Sequence, residues 1–166
     1  MSKQSSAVRD IGIGAVAGYA AGWAMDRATG WYLKRQSQAS RRREDEIAPG
    51  GTPVLAGKKL AGWVGRDVTD AEAAKIGFVV HRSLGMTYGM AAAALARAGA
   101  RPVRTGLAIG AAAFALVDEG VVSALFTPPP WAYPIESHVR GAVGHLAYGA
   151  AAGAMLAVAR GLGAMK

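Results

Sequence analysis

Four stretches of the chain, residues 11–25, 83–96, 105–117 and 141–159, contain no Asp, Glu, Lys or Arg. Each gap is about the length of a helix. A soluble helix this long shows a charged face recurring every three or four residues, whereas IGIGAVAGYAAGWAM, GMTYGMAAAALA, GLAIGAAAFALV and GAVGHLAYGAAAGAMLAVA are apolar or small all round. Such helices are buried or span a bilayer. Little beyond residues 34–70 remains to wrap four of them, so the bilayer has to supply the solvent. Extending each gap to its flanking caps predicts four transmembrane helices, over about 10–32, 72–98, 104–126 and 136–160, each near the ~20 residues that cross the hydrocarbon. The expected fold class is all-α: a polytopic membrane protein forming a single four-helix domain over residues 1–166. A soluble Ala-rich bundle is the competing reading. Lys3 and Arg9 ahead of the first apolar run also resemble a signal peptide, but the glycine spacing and Asp26 favour a retained helix.

Thr69 with Glu72 three residues on forms a capping box, which predicts that the second span begins near Asp70. Residues 34–70 form a connector of a different kind. Its first half is polar and ends in Pro-Gly-Gly breakers, as a solvated extension of the first helix or a loose loop would. In its second half Val54, Leu55, Leu60, Trp63 and Val64 accompany Lys58 and Lys59, the pattern of a short helix at the headgroup level or of a loop packed on the bundle.

Composition sharpens this picture. The chain has 166 residues, 23 of them Gly, with 52% hydrophobic and 18% charged residues and no Cys, which excludes disulfides, thiolate metal sites and cysteine nucleophiles. The mean hydropathy of +0.20 is low for four spans because Ala and Gly build them. A net charge of +8 raises the question of nucleic acid. Arg41, Arg42 and Arg43, however, are followed at once by Glu44, Asp45 and Glu46, without an aromatic platform or recognition motif, so the charge reads as juxtamembrane and the expected partner is the lipid bilayer. Lys and Arg outside the spans are nearly balanced: Lys3, Arg9, Arg97, Arg101, Arg104, Arg160 and Lys166 on the terminal side face nine on the other. The short turn holding Arg97, Arg101 and Arg104 tilts the orientation toward cytoplasmic termini, because short loops obey the positive-inside rule best.

Small residues recur every four positions: Gly14, Gly18 and Gly22 lead to Asp26, Gly77 to His81, Gly85 and Gly89, and Gly141 to His145, Gly149 and Gly153. The third span is less regular, with Gly106, Gly110, Phe114 and Asp118. Small-residue rows let helix backbones approach closely in lipid, so these are expected seams, and Gly149 with Gly153 is a candidate face for a homo-oligomer or for docking into a membrane complex. Each seam carries an ionisable residue. Helix directions place Asp26, His81, Asp118 and His145 at one level about 9 to 14 Å below the surface bearing the connector, with Glu119, Arg82, Tyr88 and Tyr148 nearby. Glu136, His138 and Arg140 stand above them as a mouth.

This polar cluster suits passage or sensing of protons or a small solute. An alternative is haem or a divalent metal on His81 and His145, and another is a structural accessory subunit whose Asp26, Asp118 and Glu119 pair with Arg27, Arg82 and the histidines to fix helix register. No Ser-His-Asp arrangement, P-loop or dinucleotide fingerprint is present, so the expected role is not enzymatic and needs no cofactor.

The run LFTPPPWAYPIESHVRGAVGHLAYG, residues 125–149, resembles the turn and last helix of the YagU-like bacterial inner-membrane proteins. In that family a Thr-Pro-Pro, aromatic, Pro turn precedes a Gly-His pair in the final span. The resemblance implies an inner-membrane location with termini in the cytoplasm and supplies no reaction. It marks Gly144, His145 and the turn from Pro128 to Pro134 as recurrent positions.

Overall fold

The computed structural model describes residues 3–165, the side chain of Lys3 excepted. Lys3, as a side chain, and Lys166, both counted above with the terminal-side cations, thus lie outside the described residues. The described chain is all-helical. Its elements are α1 (Lys3–Leu33), α2 (Gln38–Ile47), α3 (Gly51–Trp63), α4 (Asp70–Arg97), α5 (Pro102–Leu125) and α6 (Ile135–Gly161). Of the long helices, α1 packs on both α4 and α6, while α5 packs on α6 and more lightly on α4. The shorter α3 lies along α4, and α2 touches only the start of α6 closely.

The local causes are readable. The expected box at Thr69 closes: its Oγ1 accepts from the Glu72 amide at 3.3 Å, and its amide donates to the Glu72 carboxylate at 2.9 Å. Pro102 opens α5 at a position where a missing N–H costs nothing. The proline-rich turn before α6 contains one turn of 3-10 helix, Pro130–Ala132, between extended residues.

Two seams hold the long helices together. A Cβ on Gly18 would overlap the Gly85 carbonyl oxygen, and one on Gly89 would overlap that of Gly14, so α1 and α4 meet backbone to backbone. In the second seam Gly106 lies against Gly149 and Gly153, and Gly110 against the His145 backbone. Gly149 and Gly153 are therefore filled by α5 of the same chain, and the expectation that they offer an oligomerisation face is corrected. The core is made of small residues such as Ala21, Ala93 and Ala152 around Leu156, whereas Trp23, Val79, Leu95, Leu116, Leu146 and Val158 point outward.

Three further expectations change. The first helix starts at Lys3 and takes in Arg9 and Asp10, several residues before the expected 10–32. The connector 34–70 is two helices rather than a loop with one, and the apolar side of α3 faces protein: Val54, Gly57 and Ala61 are buried, with Gly57 against Ala73 of α4. Finally, α5 and α6 are the two helices long and apolar enough to cross a membrane. The other two long helices are not apolar enough. α1 dilutes its Gly and Ala run with Arg9, Asp10, Asp26 and Arg27, and α4 does so with Lys75, His81 and Arg82.

One end of the molecule is closed by buried charge. Asp10 is fully buried and receives Arg97 Nη1 at 2.5 Å, while Arg97 Nη2 donates to Ser6 at 3.1 Å. Arg160 donates to the carbonyls of Ala96 and Ala100 and so covers the end of α4. The ends of α1, α4 and α6 are thereby pinned together.

Candidate functional site

At the other end, the middle of α5 departs from α-helical winding. Residues Ala113–Val122 form a π-helix, a wider turn that is rare and often found at functional sites. Ser123 Oγ donates to the Asp118 carbonyl at 3.2 Å, meeting a backbone acceptor five residues back. This stretch carries Asp118, which lines two adjoining compartments, and Glu119, which lines the outer of them.

The inner compartment has a volume of about 310 Å³ and lies among α1, α4, α5 and α6, with α3 across it. Its polar lining is Thr52 from α3, His81, Arg82 and Tyr88 from α4, Asp118 from α5, and His145 and Tyr148 from α6. His145 Nδ1 donates to the Gly141 carbonyl at 2.9 Å, which leaves Nε2 as an acceptor. Asp118 Oδ2 stands 3.8 Å from that same Nδ1, too far for a hydrogen bond. Phe114 packs against the His145 ring at 5.8 Å between centroids. Tyr148 donates its hydroxyl proton to the Gly85 carbonyl at 2.6 Å, across the α4–α6 gap. His81 makes no hydrogen bond to a described residue.

The outer compartment, about 360 Å³, shares His81, Asp118, Met25, Pro53 and Val122 with the inner one, so the two adjoin at the imidazole and the carboxylate. Here His138 Nδ1 lies 2.8 Å from Glu119 Oε1, and its Nε2–H donates to the Pro130 carbonyl at 3.1 Å. Both ring nitrogens thus face oxygen atoms, and Nδ1 and Glu119 Oε1 are joined by one hydrogen bond. Tyr133 meets the His138 ring edge-on at 6.5 Å. Burial pushes the Tyr133 phenol above its ordinary range.

Over this mouth lies α2. Arg140 grips Glu44 with both terminal nitrogens and donates to Gln36 Oε1 at 2.6 Å. Ser137 Oγ and Gln36 Nε2 both donate to Glu44 Oε2, at 2.9 and 3.1 Å. Glu136 turns outward and accepts the Ser37 amide at 2.7 Å, beside the N-cap of α2. Burial acts to raise the Glu44 carboxyl, but the hydrogen bonds from Arg140, Gln36 and Ser137 and the Arg140 charge outweigh it, and the group sits below its ordinary value of 4.5.

Of the expected cluster, His81, Asp118 and His145 share one cavity, and Glu119 joins His138 and Arg140 in the adjoining one. Asp26 stands outside that cavity, in the pairing with Arg82 that the register-fixing alternative expects. Its carboxylate pairs with Arg82, whose guanidinium sits among the rings of Trp23, Phe78 and Tyr19 at 4.7, 5.0 and 5.6 Å, and Asp26 lines a separate recess with Glu44 and Arg140. Arg82 follows His81 directly on α4 and lines the inner cavity too, with its Nη2 turned to Asp26 on α1. Glu44 and Gln36 were missed by the sequence reading. Their signal is the spacing Gln36, Ser40, Glu44, one helical face of an otherwise charged run.

His81 and His145, the metal or haem candidates, stand as two imidazoles: among the described residues no three His, Asp or Glu side chains converge as a metal ion would need. Comparisons with protein-family models, with curated proteins and with solved structures find no match to this chain.

Proposed function

We propose that the chain crosses the bacterial inner membrane four times, through α1, α4, α5 and α6, and passes protons or a small solute through the His81–Asp118–His145 cavity. Membrane residence is supported by where the apolar surface lies. Only 11% of the residues in the most apolar stretch of α5 are buried, whereas a core helix of a soluble protein hides such a stretch. Small residues inside and large apolar ones outside suit lipid, where close packing rather than hydrophobic burial joins helices. The resemblance of residues 125–149 to YagU-like inner-membrane proteins agrees, as does the turn containing Arg97, Arg101 and Arg104, which favours cytoplasmic termini.

The observation that carries the proposed passage is the run of exchangeable groups from the outer compartment into the inner one. From the mouth, Glu119 and His138 form one hydrogen-bonded pair; next come His81 and Asp118, whose side chains make no hydrogen bond to a described residue; then His145 offers Nε2. Ionisable groups inside a membrane protein are costly unless paired, and those left facing a cavity mark proton or solute routes. The test is flux. Purified chain in liposomes loaded with a pH-sensitive dye is given a pH step. Asp118→Asn is expected to slow dissipation at least tenfold relative to the unaltered chain, and His81→Ala to act in the same direction. Equal rates in all three proteins, or no dissipation above that of empty liposomes, would remove passage.

A further inference from the structure

The inner cavity has a definite chemical bias. Its walls are mainly apolar, from Leu60 of α3 through Val80 and Leu84 of α4 to Val121 and Phe126 at the end of α5. The volume of about 310 Å³ lies at the lower end of the range of small-molecule sites, roughly 300 to 1,000 Å³. Into this apolar space the protein turns acceptors. Asp118 offers carboxylate oxygens with no donor in reach. His145 offers Nε2, because its Nδ1 proton is committed to Gly141. The Tyr148 oxygen keeps its lone pairs after donating to Gly85.

Two guanidinium groups stand near. Arg82, in the cavity wall, gives Nη2 to Asp26 and lies among three aromatic rings, with Nε and Nη1 buried and without a partner among the described residues, and Arg140 is gripped by Glu44. The carboxylate of Asp118 is thus paired with neither guanidinium among the described residues, while Tyr88, Tyr148 and Phe126 supply ring surface of the kind that attracts cations.

From this arrangement we infer that the inner cavity binds a small hydrophobic ammonium ion, its N–H groups on Asp118 and His145 Nε2 and its apolar body against Leu84, Val121 and Phe126. The inference deepens the proposed passage by naming the class of solute, and it rests on that reading of the cavity. A neutral isostere lacks the charge that Asp118 requires. A carboxylate of the same shape brings a like charge to it.

Binding in detergent tests this without a vesicle. Isothermal titration of the full chain in micelles uses benzylammonium, benzyl alcohol and benzoate, with the heats for empty micelles subtracted. Benzylammonium is expected to saturate at one per chain and to bind at least tenfold tighter than benzyl alcohol, with benzoate weakest. Asp118→Asn should abolish the preference for benzylammonium, while Asp67→Asn, which removes an exposed carboxylate between α3 and α4, should keep it. Equal affinity for benzylammonium and benzyl alcohol, or an unchanged preference in Asp118→Asn, overturns the assignment. The ranking of the three ligands on the unaltered chain decides the matter even if Asp118→Asn does not fold. Proton flux measured separately in liposomes distinguishes the two claims: flux without an ammonium preference removes this inference alone, and an Asp118-dependent preference without flux removes passage alone.

Discussion

Gly12 and Gly18 stand on the same helix and have opposite requirements. Nothing lies within 4 Å of a Cβ built on Gly12, whereas one on Gly18 would run into the Gly85 carbonyl. Gly12→Ala therefore removes backbone freedom from the unfolded chain at no steric cost and should stabilise by about 0.5 to 1 kcal/mol. Gly18→Ala forces α1 off α4 and should cost about 1 to 3 kcal/mol. Denaturant unfolding of the two variants in the same detergent reads the difference, and equal destabilisation would show that the α1–α4 seam is not packed backbone to backbone. The same residue-level reading explains Arg82: Gly22 leaves the room its guanidinium fills, and Asp26 one turn on supplies the counter-charge.

Among the elements, α2 has the least apolar anchorage. Ser40 is its buried residue, and the polar grip of Arg140, Gln36 and Ser137 on Glu44 ties it to α6. Both of its ends have turn residues, with Gly50 and Gly51 at positive φ after it. Glu44→Gln should loosen α2 and lower its amide protection factors roughly tenfold, about 1.4 kcal/mol, at neutral pH. The pH dependence has a definite sign. Since the Glu44 carboxyl is lowered by folding, its contribution is fully present above 4.5, the ordinary value, and is lost as pH falls through the lower folded value. Protection of α2, corrected for intrinsic exchange, should hold from neutral pH to about 4.5 and fall below it, and the Glu44→Gln variant should lack that fall. A fall common to both proteins would place the titrating group elsewhere.

For the molecule as a whole, the charge gaps, glycine rows and capping box made the long helices legible in the sequence, because outward apolar and seam-forming positions leave a periodic trace. The seams themselves follow from the rows: Gly14 and Gly18 do meet Gly85 and Gly89, and Gly106 does meet Gly149. The cavity was legible only in part. A period of four places Asp26 with His81 and His145, yet it carries no information on Arg82 pairing with Asp26, nor on the π winding around Asp118 and Glu119. Glu44 was hidden for another reason: in RRREDE every residue looks like a solvated charge, and only the fold brings Arg140 to one of them.

The central claim is that four helices cross the bilayer, and the absence of Cys makes its test direct. Arg66→Cys, Ala98→Cys and Trp131→Cys place single thiols between α3 and α4, between α4 and α5, and in the turn before α6. Labelling intact spheroplasts with a membrane-impermeant maleimide should modify Arg66→Cys and Trp131→Cys and leave Ala98→Cys unmodified until the cells are lysed. Arg66→Cys and Ala98→Cys behaving alike, with Trp131→Cys opposite to both, would mean that only α5 and α6 cross and would contradict the account.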